Sequence, residues 1–267
     1  MRDAGLVAGS PDIPFASAQR PGPARLGALL LALGLPAAPA SQTPDPGPVL
    51  AAARSALGGD ARLTAVRSVV VTGRMRLVRG KNLVPIEFEI ACEFPDRYVR
   101  QNEIPAEETG VMKTGFNGDL LIQVPPPETA RLDAPARAAL VRANKQDFGR
   151  WSLGLFAASF PSYPLTFAYA GRAQAPAGAA DAISATSPDG FASRLFIDTA
   201  THLPAMVTWQ VGAVEHRLYF ADYRDVDGLR WPFLMRRAVG GDTVEETTID
   251  RYRVNAKVDA RKFEVAR

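Results

Sequence analysis

Few side chains in this sequence of 267 residues could carry chemistry, and their spacing decides what they could do. Asp222, Asp225 and Asp227 form an acidic group that could in principle hold a cation. The remaining ligands of a calcium loop are missing, however, and Asp225-Val226-Asp227-Gly228 reads as turn chemistry that closes a strand. His202 falls in a turn and His216 on an alternating strand; neither has a nucleophile at a spacing that suggests a triad. The single cysteine, Cys92, excludes an internal disulfide, a multi-cysteine zinc site and an iron–sulfur cluster. Its place in an alternating run predicts a buried, inert thiol behaving as a small hydrophobe. No Gly-rich phosphate loop and no H-E-x-x-H sequence occurs. The sequence therefore predicts no catalytic residue, no metal and no cofactor, and the chain reads as a protein that is not an enzyme.

Composition agrees with an ordinary globular chain. Lys and Arg total 31 against 28 Asp and Glu, with 47% hydrophobic and 22% charged residues. This balance excludes a disordered chain, a collagen-like repeat and a polytopic membrane protein. The arginines are scattered and form no basic stripe, so no nucleic-acid partner is expected.

Residues 26–40, LGALLLALGLPAAPA, carry no charge and follow Arg20 and Arg25. A membrane-spanning helix needs about 20 apolar residues, and Pro36 interrupts this run. The run suits the middle of an export signal, with Ala38-Pro39-Ala40 as the small residues before a cleavage site; an Ala/Pro-rich tail is the alternative. On the first reading residues 1–40 are a signal peptide and 41–47 a flexible leader. Residues 48–267 are then a single exported domain with no integral membrane segment.

The elements that must position any site are mostly strands. VLAAARSALGGDARL places Leu50, Ala53, Ala56 and Leu57 at helical spacing, and Gly58-Gly59 stops a helix over roughly 48–58. From residue 67 the period changes from 3.6 to 2. Met75 and Leu77 fall on one face with Val69 and Val71, and Ile86, Phe88, Ile90 and Cys92 do the same in the next run. Facing Arg76 with Glu87 and Arg74 with Glu89, and Met75 with Phe88 and Leu77 with Ile86, gives a hairpin turning around residues 79–81, whose opposite charges bias the register. Further strand-like runs follow near 97–104, 109–116, 119–125, 165–172, 181–187, 191–198, 204–211, 214–223, 230–239 and 243–254. Asn117-Gly118, Asp189-Gly190, Asp227-Gly228 and Gly240-Gly241 mark turns between them. So many consecutive hairpins make an antiparallel meander that curls rather than stays flat. Residues 135–157 break this pattern with a helical stretch that either covers the open face of the sheet or packs on its surface.

The phrases ARSALGGDARLTAVRSVVVTGRMR (53–76), PDRYVRQ (95–101), GFNGD (115–119) and DYRDVDGLRWPFLMRR (222–237) are similar to the strand-and-turn vocabulary of LolA-like proteins. With the apolar leader, the Gly-Gly-terminated helix and the interrupted meander, the chain resembles the LolA/LolB-like lipoprotein-carrier family of Gram-negative envelopes, which includes the sensor RseB. The resemblance spans residues 48–265. It implies a mainly β (α+β) fold, a curled antiparallel sheet forming an incomplete β-barrel, with an N-terminal helix and a central helical insertion over the concave face. It also implies an apolar cavity and a lipid or acylated protein as partner. The alternative is a sensor or interaction module that contacts envelope proteins through the same fold.

The dry face supplies the candidate lining of such a cavity: Met75, Leu77, Ile86, Phe88 and Ile90, then Phe116, Leu120 and Ile122. Phe167, Leu195, Ile197, Val207, Trp209, Leu218 and Phe220 continue it, and Trp151 and Phe156 come from the insertion. Any one of these, taken singly, reads as ordinary core; the binding expectation rests on their sum.

Overall fold

Period-2 alternation becomes strand wherever the sequence shows it. The computed structural model describes residues 44–80, 82–105, 110–125, 133–160 and 163–264, and all of these belong to one unit. The expected export signal and the start of the leader lie outside the described residues. Helix α1 (Gly47–Ala56), with proline in its first turn, and the short α2 (Asp60–Thr64) are separated by the predicted glycine stop. Gly58 adopts φ 121°, and a Cβ there would lie 2.4 Å from the Gly228 carbonyl oxygen, so the end of α1 docks tightly on a distant turn. The Arg230 N–H donates to Leu57 O at 2.9 Å in the same contact.

The strands run β1 (Ser68–Arg79), β2 (Asn82–Glu93), β3 (Arg97–Glu103), β4 (Met112–Asn117) and β5 (Leu120–Val124). Helix α3 (Ala134–Phe156) follows. Then come β6 (Thr166–Ala175), β7 (Gly178–Thr186), β8 (Ala192–Asp198), β9 (Pro204–Val211), β10 (Val214–Val226), β11 (Leu229–Val239) and β12 (Asp242–Val254). All twelve form one antiparallel sheet in the order β5-β4-β3-β2-β1-β12-β11-β10-β9-β8-β7-β6. The sheet is not closed: β5 and β6 are its two edges, and α3 carries the chain from one to the other. Because α3 touches β4 and β5 near one edge and β8 and β9 towards the other, the sheet must curl around it.

Two sequence expectations are corrected. In the first hairpin Arg74 faces Glu87, Arg76 faces Pro85, Met75 faces Ile86 and Leu77 faces Val84, a two-residue slip from the expected register. The cause is the turn. Arg79 pairs with Asn82 across a two-residue loop in which Gly80 has φ 60°, the loop length whose twist suits a hairpin. An even slip keeps each side chain on its face. The arginines instead reach β12, Arg74 to Asp250 at 3.1 Å and Arg76 to Glu246 at 2.8 Å.

The phase of β5 is off by one. Phe116 pairs with Leu121 across a loop whose Gly118 has φ 58°, so Leu121 shares the inner face with Phe116. Leu120 is 57% exposed. Ile122 packs with Val70, Ala91, Val99, Val258 and Phe263 on the convex side. A one-residue slip moves every side chain to the other face. The convex cluster is closed by a 3-10 turn, Ala260–Phe263, capped by the Asp259 carboxylate accepting from the Arg261 N–H at 3.0 Å.

Candidate functional site

The site is built where α3 meets the concave face. Asp133 caps the helix by accepting from the Ala136 N–H at 2.8 Å, and a proline stands in the first turn. The helix stops at Ala157, whose φ of 47° is left-handed. Arg54 of α1 donates to Phe156 O at 3.0 Å, a cation at the negative end of α3. Burial is concentrated in the second half of α3, where every residue from Phe148 to Phe156 except Arg150 is buried. Two glycines let it approach closely: a Cβ on Gly149 would lie 3.1 Å from Phe191, and one on Gly154 only 2.0 Å from Phe220.

The C-terminal half of α3 fills its end of the hollow with rings. Phe156 meets Trp231 edge-on at 5.5 Å and Phe94 at 5.3 Å, and Phe94 stacks on Phe160 at 4.8 Å. Phe148 packs against Tyr98 and Phe116 at 5.2 and 5.6 Å. Towards the β1–β2, β9–β10 and β11–β12 turns the filling stops. Beneath Asp147, Arg150 and Trp151 lies a cavity of ≈ 120 Å³, walled by Phe88, Ile90, Tyr98, Trp209, Leu218 and Met235. Asp147, Arg150, Trp209 and Arg237 also line a more open groove of ≈ 770 Å³ between α3 and strands β7 to β10, so these four residues form a shared rim. Ser184, Thr186, Ser193, Arg194, Thr208 and Gln210 stand among the walls of the groove.

Of the predicted lining, Phe88, Ile90, Trp151, Trp209 and Leu218 border the cavity directly. Met75, Ile86, Phe116, Phe156, Leu195, Ile197, Val207 and Phe220 belong to the same concave core without bordering it, and Leu77 and Phe167 sit half-buried at its margin. Leu120 and Ile122 face away. The polar half of the site was not expected from sequence: Arg100, Arg150 and Arg237, with Glu245, Thr247 and Asp147. The available signal was phase. Arg100 stands two residues after Tyr98, and Arg237 two after Met235, each on the apolar face of its strand.

These cations are unevenly partnered. Arg100 reaches Glu245 at 3.4 Å, Asn102 at 3.1 Å and the Phe88 ring at 5.4 Å. Arg150 binds Asp147 at 2.8 Å and lies 4.8 Å from the Trp209 ring and 5.3 Å from that of Phe191. Arg237 contacts His216 Nδ1 at 3.5 Å and, among the described residues, forms no ion pair. The Nε–H groups of Arg150 and Arg237 and the Nε1–H of Trp151 are buried without an acceptor among the described residues. A buried donor left unpaired costs about 1–3 kcal/mol. Burial lowers the pKa of Arg150, and burial, with Arg237 and Arg150 adding to it, holds His216 below its usual value. The rim is thus a region of positive potential against an apolar wall.

The residues first considered for chemistry are placed elsewhere. Cys92 is fully buried on the concave side. Asp222 pairs with Arg224, Asp225 accepts from the Gly228 N–H at 3.2 Å, and Asp227 adopts φ 57° in the turn. His202 adopts φ 57° in the β8–β9 turn. Among the described residues no three His, Cys, Asp or Glu side chains converge as metal ligands, and no helix is long and apolar enough to cross a membrane.

No protein-family model matches the chain, and no curated protein sequence does. Solved structures do. A DUF1329 family protein from Desulfovibrio piger superposes with a TM-score of 0.53 at 11% identity, over 83% of this chain and 98% of that one. A domain from Vibrio parahaemolyticus described as a "putative outer membrane lipoprotein-sorting protein domain" gives 0.51 at 12%, over 82% and 97%. A LolA superfamily protein from Nitrosomonas europaea gives 0.49 at 13%, over 79% and 97%. The first two fix the architecture: this chain has the fold of the lipoprotein-sorting domain, the open curled sheet with a helix across its concave side that the LolA-like resemblance implies.

Proposed function

We propose that the protein is a binding or carrier protein for an acyl chain, free or attached to a protein, held between the open sheet and α3 in the periplasm. The observation that carries this reading is the partly filled hollow. A twelve-stranded sheet is spanned by one helix, and aromatic rings plug one end while a cavity with an apolar wall and a charged rim remains at the other. A chain of about 16 carbons carries roughly 12 kcal/mol of transfer free energy at about 0.8 kcal/mol per methylene, so it does not cross water unaided. An apolar cavity of about 150 Å³ takes a benzene-sized guest, so the ≈ 120 Å³ here receives the first methylenes. Longer chains enter as the rings of α3 give way to methylenes, an exchange of one apolar contact for another that keeps loading and release close to balance.

The test is displacement of a fluorescent fatty acid from the purified protein, together with mass spectrometry of an organic extract. Saturable uptake competed by unlabelled chain, lost when Trp209 and Leu218 are replaced by glutamate, is the expected result. Absence of any chain binding, with a stable lipid-free complex with another envelope protein, would replace the carrier with a sensor.

A further inference from the structure

The rim carries a chemical preference that a purely apolar cavity would lack. The carboxylates lining the two connected spaces are already engaged: Asp147 by Arg150, Glu245 by Arg100 and Glu215 by Arg217. Arg237 has no such partner among the described residues, and it lines both the cavity and the groove. Arg150 is clamped between the Trp209 and Phe191 rings, which fixes its guanidinium in place before any ligand arrives. Trp151, 7% exposed, lines the cavity with its indole N–H unpaired, as are the Nε–H groups of both arginines. Three buried donors without acceptors, two of them cationic, call for an anion with several oxygens. Directly beside them Phe88, Ile90, Leu218 and Met235 offer a surface only hydrocarbon would favour.

We propose that this rim binds the anionic head of a single-chain amphiphile, a carboxylate or a phosphate monoester, whose chain begins in the cavity. Arg150 and Arg237 donate to the head oxygens, the Trp151 indole N–H supplies a third bond, and the open groove accommodates whatever the head is attached to. The inference rests on the acyl-binding reading above and narrows it to acidic amphiphiles. Fixed donors that need no reorganisation are what give such a site selectivity over a neutral head of equal length.

The test compares laurate, dodecyl phosphate and dodecanol, each displacing the same fluorescent chain from the wild-type protein and from R237M and W151F. The anionic probes bind at least about tenfold tighter than dodecanol, the size of one charge-assisted hydrogen bond. R237M removes most of that advantage, bringing the ratio of anionic-probe to dodecanol affinity down towards one. W151F, which keeps a ring and loses only the N–H, reduces it several-fold, and it serves if R237M does not fold. The tighter of laurate and dodecyl phosphate identifies the head group. Equal binding of all three probes, unaffected by R237M and W151F, overturns the anionic head and leaves the carrier reading intact; failure of all three to bind removes both.

Discussion

Replacing Gly154 by alanine tests how α3 is held on the sheet. An added methyl would sit 2.0 Å from Cζ and 2.4 Å from Cε1 of Phe220, a residue that is 5% exposed and belongs to the concave core. Alanine in a helix gains about 0.5–1 kcal/mol over glycine. Overpacking a close-fitting interior costs about 1–3 kcal/mol. The methyl would overlap a buried aromatic ring, so the cost exceeds the gain and stability falls by about 1–2 kcal/mol. For a chain of this size that lowers the melting temperature by about 2–8 °C. Urea unfolding of wild type, G154A, F220A and the double variant isolates the contact. Against F220A, where the ring is gone, the same methyl becomes neutral or stabilising, giving a coupling of about 2 kcal/mol. If G154A is as stable as wild type, or equally harmful with and without the ring, Phe220 does not seat the helix and the covered cavity loses its geometric basis.

Other outcomes follow from single contacts. Tyr223 donates to Gly154 O at 3.2 Å and Pro204 O at 2.8 Å, joining α3 to the sheet, so Y223F lowers the urea midpoint by the equivalent of about 1–3 kcal/mol with an unchanged m-value. Burial pushes the Cys92 thiol well above its ordinary pKa, so Ellman's reagent at about pH 8 labels it only after unfolding; rapid native labelling would place it on the other face. The hydrogen bond from the Arg261 side chain holds Asp259 at about 2, below the ordinary 3.8. A carboxyl depressed in the folded state contributes fully above its unfolded pKa and loses that contribution as pH falls through the folded one. Melting curves of D259N and wild type therefore differ at about pH 6 and merge as pH falls from about 4 to 2. Phe263, 2% exposed in the convex cluster, costs about 3–5 kcal/mol on replacement by alanine in a urea titration.

The sheet was legible because its signal is local. Alternation placed Met75, Ile86, Phe88 and Cys92 on one face, and that face is the concave core. The helix expected over 135–157 is α3, Ala134–Phe156, because its apolar residues abandon period 2 over a stretch too long for a strand. What sequence misplaced was set by turns. Positive φ at Gly80 and Gly118 selects two-residue loops, and loop length, not charge pairing or hydrophobicity, fixes which residues of β1 and β2, or of β4 and β5, stand opposite one another. The candidate site was half legible. Its apolar wall follows from phase, but Arg100, Arg150 and Arg237 converge from β3, α3 and β11, and no spacing along the chain encodes that meeting. An arginine on the dry phase of a strand is the one local trace it leaves.

The route of α3 from one sheet edge to the other has a topological consequence. Strands β1 and β12 are neighbours in the middle of the sheet, so the chain enters and leaves it there. A circular permutant that links the segment after β12 to α1, and is opened between α3 and β6, would lay down its twelve strands in unbroken spatial succession. The helix would then trail as an arm tethered at one end only. Whether that arm still folds back over the hollow would show how much of the covering is held by side chains and how much by connectivity alone.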